Sequence, residues 1–242
     1  MNKRIILIGA GILAVAVVLL IVPKIFFKAP TTTTTTTAQQ QADAAKKVEE
    51  EAAAKATADA KMAFPLAEVT IGNLSTQARK EFEFASGKAK EWKEDAIPVA
   101  VTASYTKTID PKNGKNTYIF VSPSMNQYYF TLTLDQNQTD TGMNSFQRIL
   151  YFKEDYFLPK TVGNMPIKYW KVDYIEALQK ADASGGKDIR VANSEYDINM
   201  VLSAEQGENL TWKVEYLVGG KQAYSISYDA YTGEVIGGSP ES

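Results

Sequence analysis

The chain has 242 residues, a formal net charge of −2, and neither cysteine nor histidine. The absence of cysteine excludes disulfides and a lipidated cysteine, and the absence of histidine excludes Ser-His and Cys-His nucleophile pairs. A net charge this close to zero gives no electrostatic reason to expect nucleic acid as a partner. We therefore expect no catalytic residue, no metal and no cofactor, and a function other than that of an enzyme.

An uncharged apolar stretch covers residues 5–22, which is long enough to cross a membrane as one helix. Basic side chains lie on both sides of it, so the positive-inside rule alone gives little orientation. The alternative is a cleaved signal peptide, but the bulky and charged residues that follow make a poor cleavage site. We predict that residues 1–28 are a single-pass cell-membrane anchor, with a cytoplasmic N-terminus and an extracytoplasmic C-terminal part.

Residues 29–65 are predicted to be a spacer. Its seven consecutive threonines have no apolar face to bury and favour an extended chain, either bare or carrying O-linked sugars. The following stretch is rich in Ala, Gln, Glu and Lys, and residues 51–55 have the Glu-Ala-Ala-Ala-Lys sequence of helical spacers. Large residues are missing from coiled-coil core positions, so we expect a helix that stands alone and ends before Pro65.

Residues 66–161 are predicted to form a first α+β segment. Ser75 can cap a helix that Pro98 stops, and its apolar stripe is Ala78, Phe82, Ala85, Ala89, Trp92 and Ala96. Alternating apolar and polar residues then predict strands near residues 99–105, 118–121 and 128–134. These strands are too closely spaced for helical crossovers, which favours an antiparallel sheet. Residues 146–157 are a further, strongly aromatic strand candidate.

Residues 162–242 repeat this order and are predicted to form a second α+β segment. Asp173 and Glu176 resemble a capping box at the start of a helix, and Gly185-Gly186 is expected to end that helix. Strands follow, and the last two are joined by a glycine turn as a hairpin. The similar element order of the two segments suggests a structural duplication.

The end of the second segment resembles a PepSY domain. The resemblance rests on Trp212-Lys-Val-Glu-Tyr216, a glycine turn, and the closing sequence Asp229-Ala-Tyr-Thr-Gly-Glu-Val235. It covers residues 173–237, and the first segment shares the element order but lacks this closure. The resemblance implies an extracytoplasmic, often membrane-tethered module that binds or regulates and has no catalytic residues. We interpret the closing sequence as a turn in which Gly233 has a positive φ, and not as a site.

Other motifs carry little chemistry. Residues 135–146 resemble the start of a calcium loop, but Asp140 stands where glycine is needed and Phe146 where glutamate is needed. Neighbouring carboxylates such as Glu154 and Asp155 are expected to point to opposite faces of a strand, which is unsuitable for paired acid–base catalysis. Three Asn-x-Ser/Thr sequons, at Asn73, Asn137 and Asn209, matter only in a host that glycosylates.

The best candidate for a binding patch is the aromatic run at residues 151–157. It has aromatic residues at both parities of a strand, and these are Tyr151, Phe152, Tyr156 and Phe157. We expect an exposed patch, and the competing interpretation is a strand buried on both faces between the two segments. The leading hypothesis is a regulator that binds an envelope protein or peptide, such as a peptidase or wall-processing enzyme. The alternative is a structural or adhesive protein that presents a head on a stalk.

Overall fold

The computed structural model describes residues 38–67, 72, 74–137, 143, 145–204 and 209–239. The predicted membrane anchor and the threonine run lie outside these residues. Within them, no helix is both long enough and apolar enough to cross a membrane.

Helix α1 covers Ala38–Met62, where the sequence predicted a helical spacer. Its side chains from residue 43 onward are exposed, so the helix has no apolar face buried along its length. Lys46 and Glu50 form an ion pair at 3.9 Å, one turn apart. Pairs of this kind add only about 0.3–0.5 kcal/mol each, and alanine supplies most of the helical preference.

Besides α1 and several short 3₁₀ turns, the described residues form three further helices and eight strands. Helix α2 is Thr76–Trp92, helix α3 is Tyr174–Ala181, and helix α4 is Lys187–Ala192. The strands are β1 (Ile97–Tyr105), β2 (Gly114–Val121), β3 (Tyr128–Asp135), β4 (Phe146–Phe152), β5 (Asp197–Ser203), β6 (Thr211–Val218), β7 (Lys221–Asp229) and β8 (Val235–Ser239). The fold is therefore α+β, as predicted.

All eight strands form one open antiparallel sheet in the order β4-β3-β2-β1-β5-β6-β7-β8. Strands β1 to β4 come from the first predicted segment and β5 to β8 from the second. The two sets meet at the antiparallel pair β1–β5, in which Thr102 lies opposite Val201. The two segments thus share one continuous sheet.

The main core lies between the helices and one face of this sheet. The small residues Ala78, Ala85 and Ala89 bring α2 close to the strands, as the predicted stripe requires. The other side of the core is rich in large residues, and Trp212 and Tyr228 are both almost fully buried there. Alternation along each strand places these residues on one face and the polar residues on the other.

One sequence prediction is wrong in detail, since the alternation predicted Val99 on the same face as Val101. A bulge between Pro98 and Ala100 shifts the register of β1, so Val99 packs with Ala100 on the far face of the sheet instead of with Val101. The predicted end of the helix that begins at Tyr174 is confirmed. Gly185 has a non-helical backbone, with φ 138°, and α4 follows directly after this break.

These two glycines permit close packing as well as a turn. A Cβ atom built on Gly186 would lie 2.3 Å from Cζ of the buried Tyr216, and one on Gly185 would lie 3.1 Å from Tyr224. The aromatic rings of β6 and β7 therefore leave no room for a side chain on this backbone, so the glycine pair permits close packing as well as the break in the helix.

Gly186→Ala is therefore expected to lower the free energy of unfolding by about 1–3 kcal/mol, because the new methyl overlaps Tyr216. The matched control is Gly87→Ala on α2, where a Cβ atom meets nothing within 4 Å. That change should raise the free energy of unfolding by about 0.5–1 kcal/mol through helix propensity. Urea unfolding of the two variants measures both, and a loss of stability in both would contradict the packing argument.

Candidate protein-binding face

The sheet face away from the helices, here called the open face, is only partly covered. After β4 the chain makes a 3₁₀ turn at Lys153–Asp155 and then crosses this face before α3 begins. Leu158 on the crossing chain is buried in a small cluster with Ile119 and Tyr129. Main-chain hydrogen bonds from Gly163 and Met165 then fix the crossing chain to the carbonyl oxygens of Ala204 and Pro98.

Four aromatic rings form a chain of contacts on the open face, and we call them the aromatic cluster: Tyr129, Tyr151, Tyr156 and Phe157. The Tyr156 ring is central, with ring centroids 5.5 Å from Tyr129, 4.8 Å from Tyr151 and 4.6 Å from Phe157. Spacings of this size are typical of favourable offset and tilted aromatic pairs. Phe157 ends the chain of rings and has 61% of its surface exposed.

Burial controls the ionisation of this cluster. Burial raises the pKa of the Tyr156 hydroxyl, and the neighbouring Tyr151 and Tyr129 raise it further. Burial also raises the pKa of Tyr129. The Lys153 ammonium lies 5.2 Å from the centroid of the Tyr129 ring, and partial burial lowers its pKa. The hydroxyl groups of Tyr129 and Tyr156 therefore stay protonated, and the Lys153 side chain lies next to the Tyr129 ring.

A groove lies beside the cluster, between the crossing chain and strands β5 to β8. Its volume is about 590 Å³, with Phe157, Leu158 and Pro159 on one side and Ile236 and Gly237 on the other. A second hollow of about 300 Å³, lined by Thr102, Ser104 and Asn199, lies on the other side of the Phe157 ring. Phe157 lines both hollows, so this ring stands between them.

The floor of the groove is polar because strand alternation turns the non-core residues of β5, β6 and β7 toward it. It consists of one valine, three small hydroxyl residues and one ion pair: Val201, Ser203, Thr211, Ser227, Lys213 and Glu215. Nζ of Lys213 lies 2.6 Å from Oε1 of Glu215, and both side chains are partly exposed. A polar floor beside an apolar wall suits a partner that brings apolar side chains together with hydrogen-bonding groups.

Three of the four predicted patch residues come together in the aromatic cluster, namely Tyr151, Tyr156 and Phe157. Phe152 points to the other face of β4, where its ring packs in a tilted arrangement against Tyr128, with centroids 4.6 Å apart, and is 53% exposed. Strand β4 is an edge strand of the sheet and is not enclosed between the two segments. That location accounts for aromatic residues at both parities, since both faces of an edge strand are only partly covered.

Tyr129 and the groove floor were not among the predicted site residues. The alternation of β3 places Tyr129 opposite to the inward Phe130 and Leu132, so its sequence position signals an outward ring. The groove has no such signal, because it depends on where the crossing chain passes. Strand β4 also ends at Phe152, so Glu154 and Asp155 lie in the 3₁₀ turn and not on a strand.

Among the described residues, no group of three or more acidic, histidine or cysteine side chains is placed to hold a metal ion. The open face offers aromatic rings for contact and polar side chains for hydrogen bonding. Comparison with protein-family models and with curated proteins finds no match to the chain.

Proposed function

We propose that the chain is a membrane-anchored, extracytoplasmic binding protein that regulates an envelope protein partner, such as a peptidase or a wall-processing enzyme, without catalysing a reaction. The anchor at residues 1–28 and the spacer after it supply the location. The observation that carries the binding proposal is the exposed Phe157 ring, which stands between two hollows on the open face. Large exposed aromatic rings beside pockets are typical centres of protein interfaces.

The supporting rings make Phe157 a well-positioned contact residue. Tyr156 packs against Phe157 and is itself packed against Tyr129 and Tyr151, so the ring is backed by the sheet. A side chain that is already ordered loses little conformational entropy when a partner binds. The element order, one helical region followed by four antiparallel strands in each segment, also agrees with the proposed PepSY-like character of both segments.

Phe157→Ala is expected to weaken partner binding by about 1–2 kcal/mol, because it removes the ring that the partner covers. The test places a photo-crosslinking benzoylphenylalanine at position 157 of the full chain in the source envelope. We expect one protein to be captured in fixed proportion, and capture by a second probe at position 151 to fall when Phe157→Ala is introduced.

The matched control carries the same probe at position 152, which is similarly exposed but lies on the other face of β4. This probe should capture little of the partner. Equal capture at positions 152 and 157, or recovery of polysaccharide or of the chain itself alone, would contradict a protein partner on the open face.

A further inference from the structure

A second pair of exposed aromatic rings lies outside the aromatic cluster. Tyr169 ends the 3₁₀ turn Ile167–Tyr169, and Tyr231 lies in the turn after β7. Their side chains are 45% and 52% exposed, their ring centroids are 5.8 Å apart, and their planes meet at 87°. Tyr169 can cover only one face of Tyr231 in this perpendicular arrangement. The other face of the Tyr231 ring is thus left for a ligand.

The two rings border a pocket of about 310 Å³ whose other members include Asn209, Asp229 and Thr232. Oδ1 of Asp229 accepts hydrogen bonds from the backbone N–H groups of Tyr231 and Thr232, both at 2.8 Å. These bonds fix the turn and therefore the position of the Tyr231 ring. They leave Oδ2 of Asp229 and the side-chain amide of Asn209 without a hydrogen-bond partner among the described residues.

We propose that this pocket binds a pyranose unit of a polysaccharide. A pyranose whose hydroxyl groups are equatorial has a flat face of C–H groups, which packs on an aromatic ring, and a rim of hydroxyl groups. The Tyr231 ring offers the matching apolar surface. Oδ2 of Asp229 can accept a hydrogen bond from a sugar hydroxyl, and the Asn209 amide can donate one and accept another.

An apolar peptide side chain fits the pocket less well. It would cover the Tyr231 ring but would also desolvate the Asp229 carboxylate and the Asn209 amide without replacing their hydrogen bonds to water. Burial of a polar group without a hydrogen-bond partner is unfavourable. A sugar can pack its C–H face on the ring and form hydrogen bonds with the polar groups at the same time. The pocket therefore favours a saccharide over an aliphatic side chain.

The pocket also has room for more than one sugar unit. Asn209 lines both this pocket and the 590 Å³ groove of the open face. A longer saccharide chain bound at Tyr231 can therefore continue past Asn209 along the polar floor, where Thr211 offers a further hydroxyl group. This inference does not depend on the proposed protein partner, whose main contact is Phe157.

The test is isothermal titration calorimetry of the full chain, kept in lauryldimethylamine oxide because sugar-based detergents would compete. The probe is triacetylchitotriose, whose pyranose units carry equatorial hydroxyl groups. We expect it to bind with a measurable heat. Tyr231→Ala should raise its Kd about tenfold or more, whereas Tyr231→Phe should change Kd by less than about twofold, since the stacking needs the ring and not the hydroxyl.

Asn209→Ala changes an exposed side chain in a loop, so it tests the proposal even if Tyr231→Ala fails to fold. We expect Asn209→Ala to raise the Kd for triacetylchitotriose by about threefold or more. Phe152→Ala, which removes an equally exposed ring at the opposite edge of the sheet, should leave Kd unchanged. No heat of binding with triacetylchitotriose, or a Kd that Tyr231→Ala and Asn209→Ala leave unchanged, would overturn the proposal. Photo-crosslinking at position 157 is a separate readout, so failure of either proposal leaves the other standing.

Discussion

Asp182→Ala is expected to lower the free energy of unfolding by about 3–5 kcal/mol, because it leaves the Arg190 charge buried without its partner. The two side chains are each only 6% exposed. Nε and Nη2 of Arg190 donate to the two carboxylate oxygens of Asp182, both at 2.9 Å, in the two-pronged geometry that is the strongest for this pair. These hydrogen bonds raise the pKa of the Arg190 guanidinium above its ordinary value, so the charge remains.

Arg190 also holds the end of helix α1. Its Nη1 donates to the carbonyl oxygen of Lys61 and its Nη2 to that of Met62, in the last turn of the helix. A cation is favourable at this end, since the carbonyl groups there lack helical partners. Loss of Asp182 therefore leaves a guanidinium that only these carbonyl groups stabilise, and the last turn of α1 should exchange its amide hydrogens faster.

Lys213→Ala is the matched control for Asp182→Ala. Lys213 and Glu215 are also a close ion pair, at 2.6 Å, but both side chains are partly exposed, and such pairs contribute about 0–1 kcal/mol. Urea unfolding followed by tryptophan fluorescence measures both variants. A cost for Asp182→Ala that is no greater than that for Lys213→Ala would show that burial does not determine the value of the Arg190 pair.

Trp212→Ala is expected to cost about 3–5 kcal/mol, because it opens a large cavity at the centre of the core. Trp212 lies on β6 and has no exposed surface. Its Nε1 donates to the carbonyl oxygen of Val172 at 2.8 Å, and the same oxygen accepts a second hydrogen bond from Nε1 of Trp170 at 2.9 Å. The ring thus contributes both volume and a hydrogen bond between the sheet and the start of α3.

Trp212→Phe separates these two contributions. It keeps most of the ring volume, and the Val172 carbonyl keeps its bond from Trp170, so the expected cost is about 1–2 kcal/mol. Leu150→Ala, on the exposed edge strand β4, should change stability by less than about 0.5 kcal/mol. Thermal unfolding followed by circular dichroism ranks the three variants. An equal cost for Trp212→Phe and Trp212→Ala would assign the effect to the hydrogen bond and not to the cavity.

The sequence predicted most strands, because alternation is a local signal that burial on one face imposes. Val101, Ala103 and Tyr105 all lie on the core face, as their spacing indicates. The β1–β5 pairing had no such signal, since local periodicity does not say which distant strands become neighbours. The partners of Glu81 could not be predicted for the same reason. Its buried carboxylate accepts hydrogen bonds from the side chains of Asn116 and Tyr118, which lie on β2.

The candidate site shows the same division between local and tertiary information. The aromatic run has rings at both odd and even positions, and this identified Tyr151, Tyr156 and Phe157 as unusual. A strand that is buried on one face has apolar residues only at every second position. The groove beside them is formed when the crossing chain passes over the polar side of β5 to β7. A repeat of two residues shows which face of a strand a side chain lies on. It does not show the path of a connecting chain.

The sheet order has a further consequence for how many partners one chain can hold. Read outward from the centre, β1 to β4 and β5 to β8 follow the same sequence of neighbours about an antiparallel pair, which is the arrangement of a two-fold dimer within one polypeptide. A true dimer would carry the same ligand-binding surface twice. Here the outer strands differ, since β4 carries tyrosine and phenylalanine where β8 carries two adjacent glycines. The two halves of the sheet are therefore not equivalent, and within the described residues the surface that carries the aromatic cluster occurs once, not twice as in a true dimer.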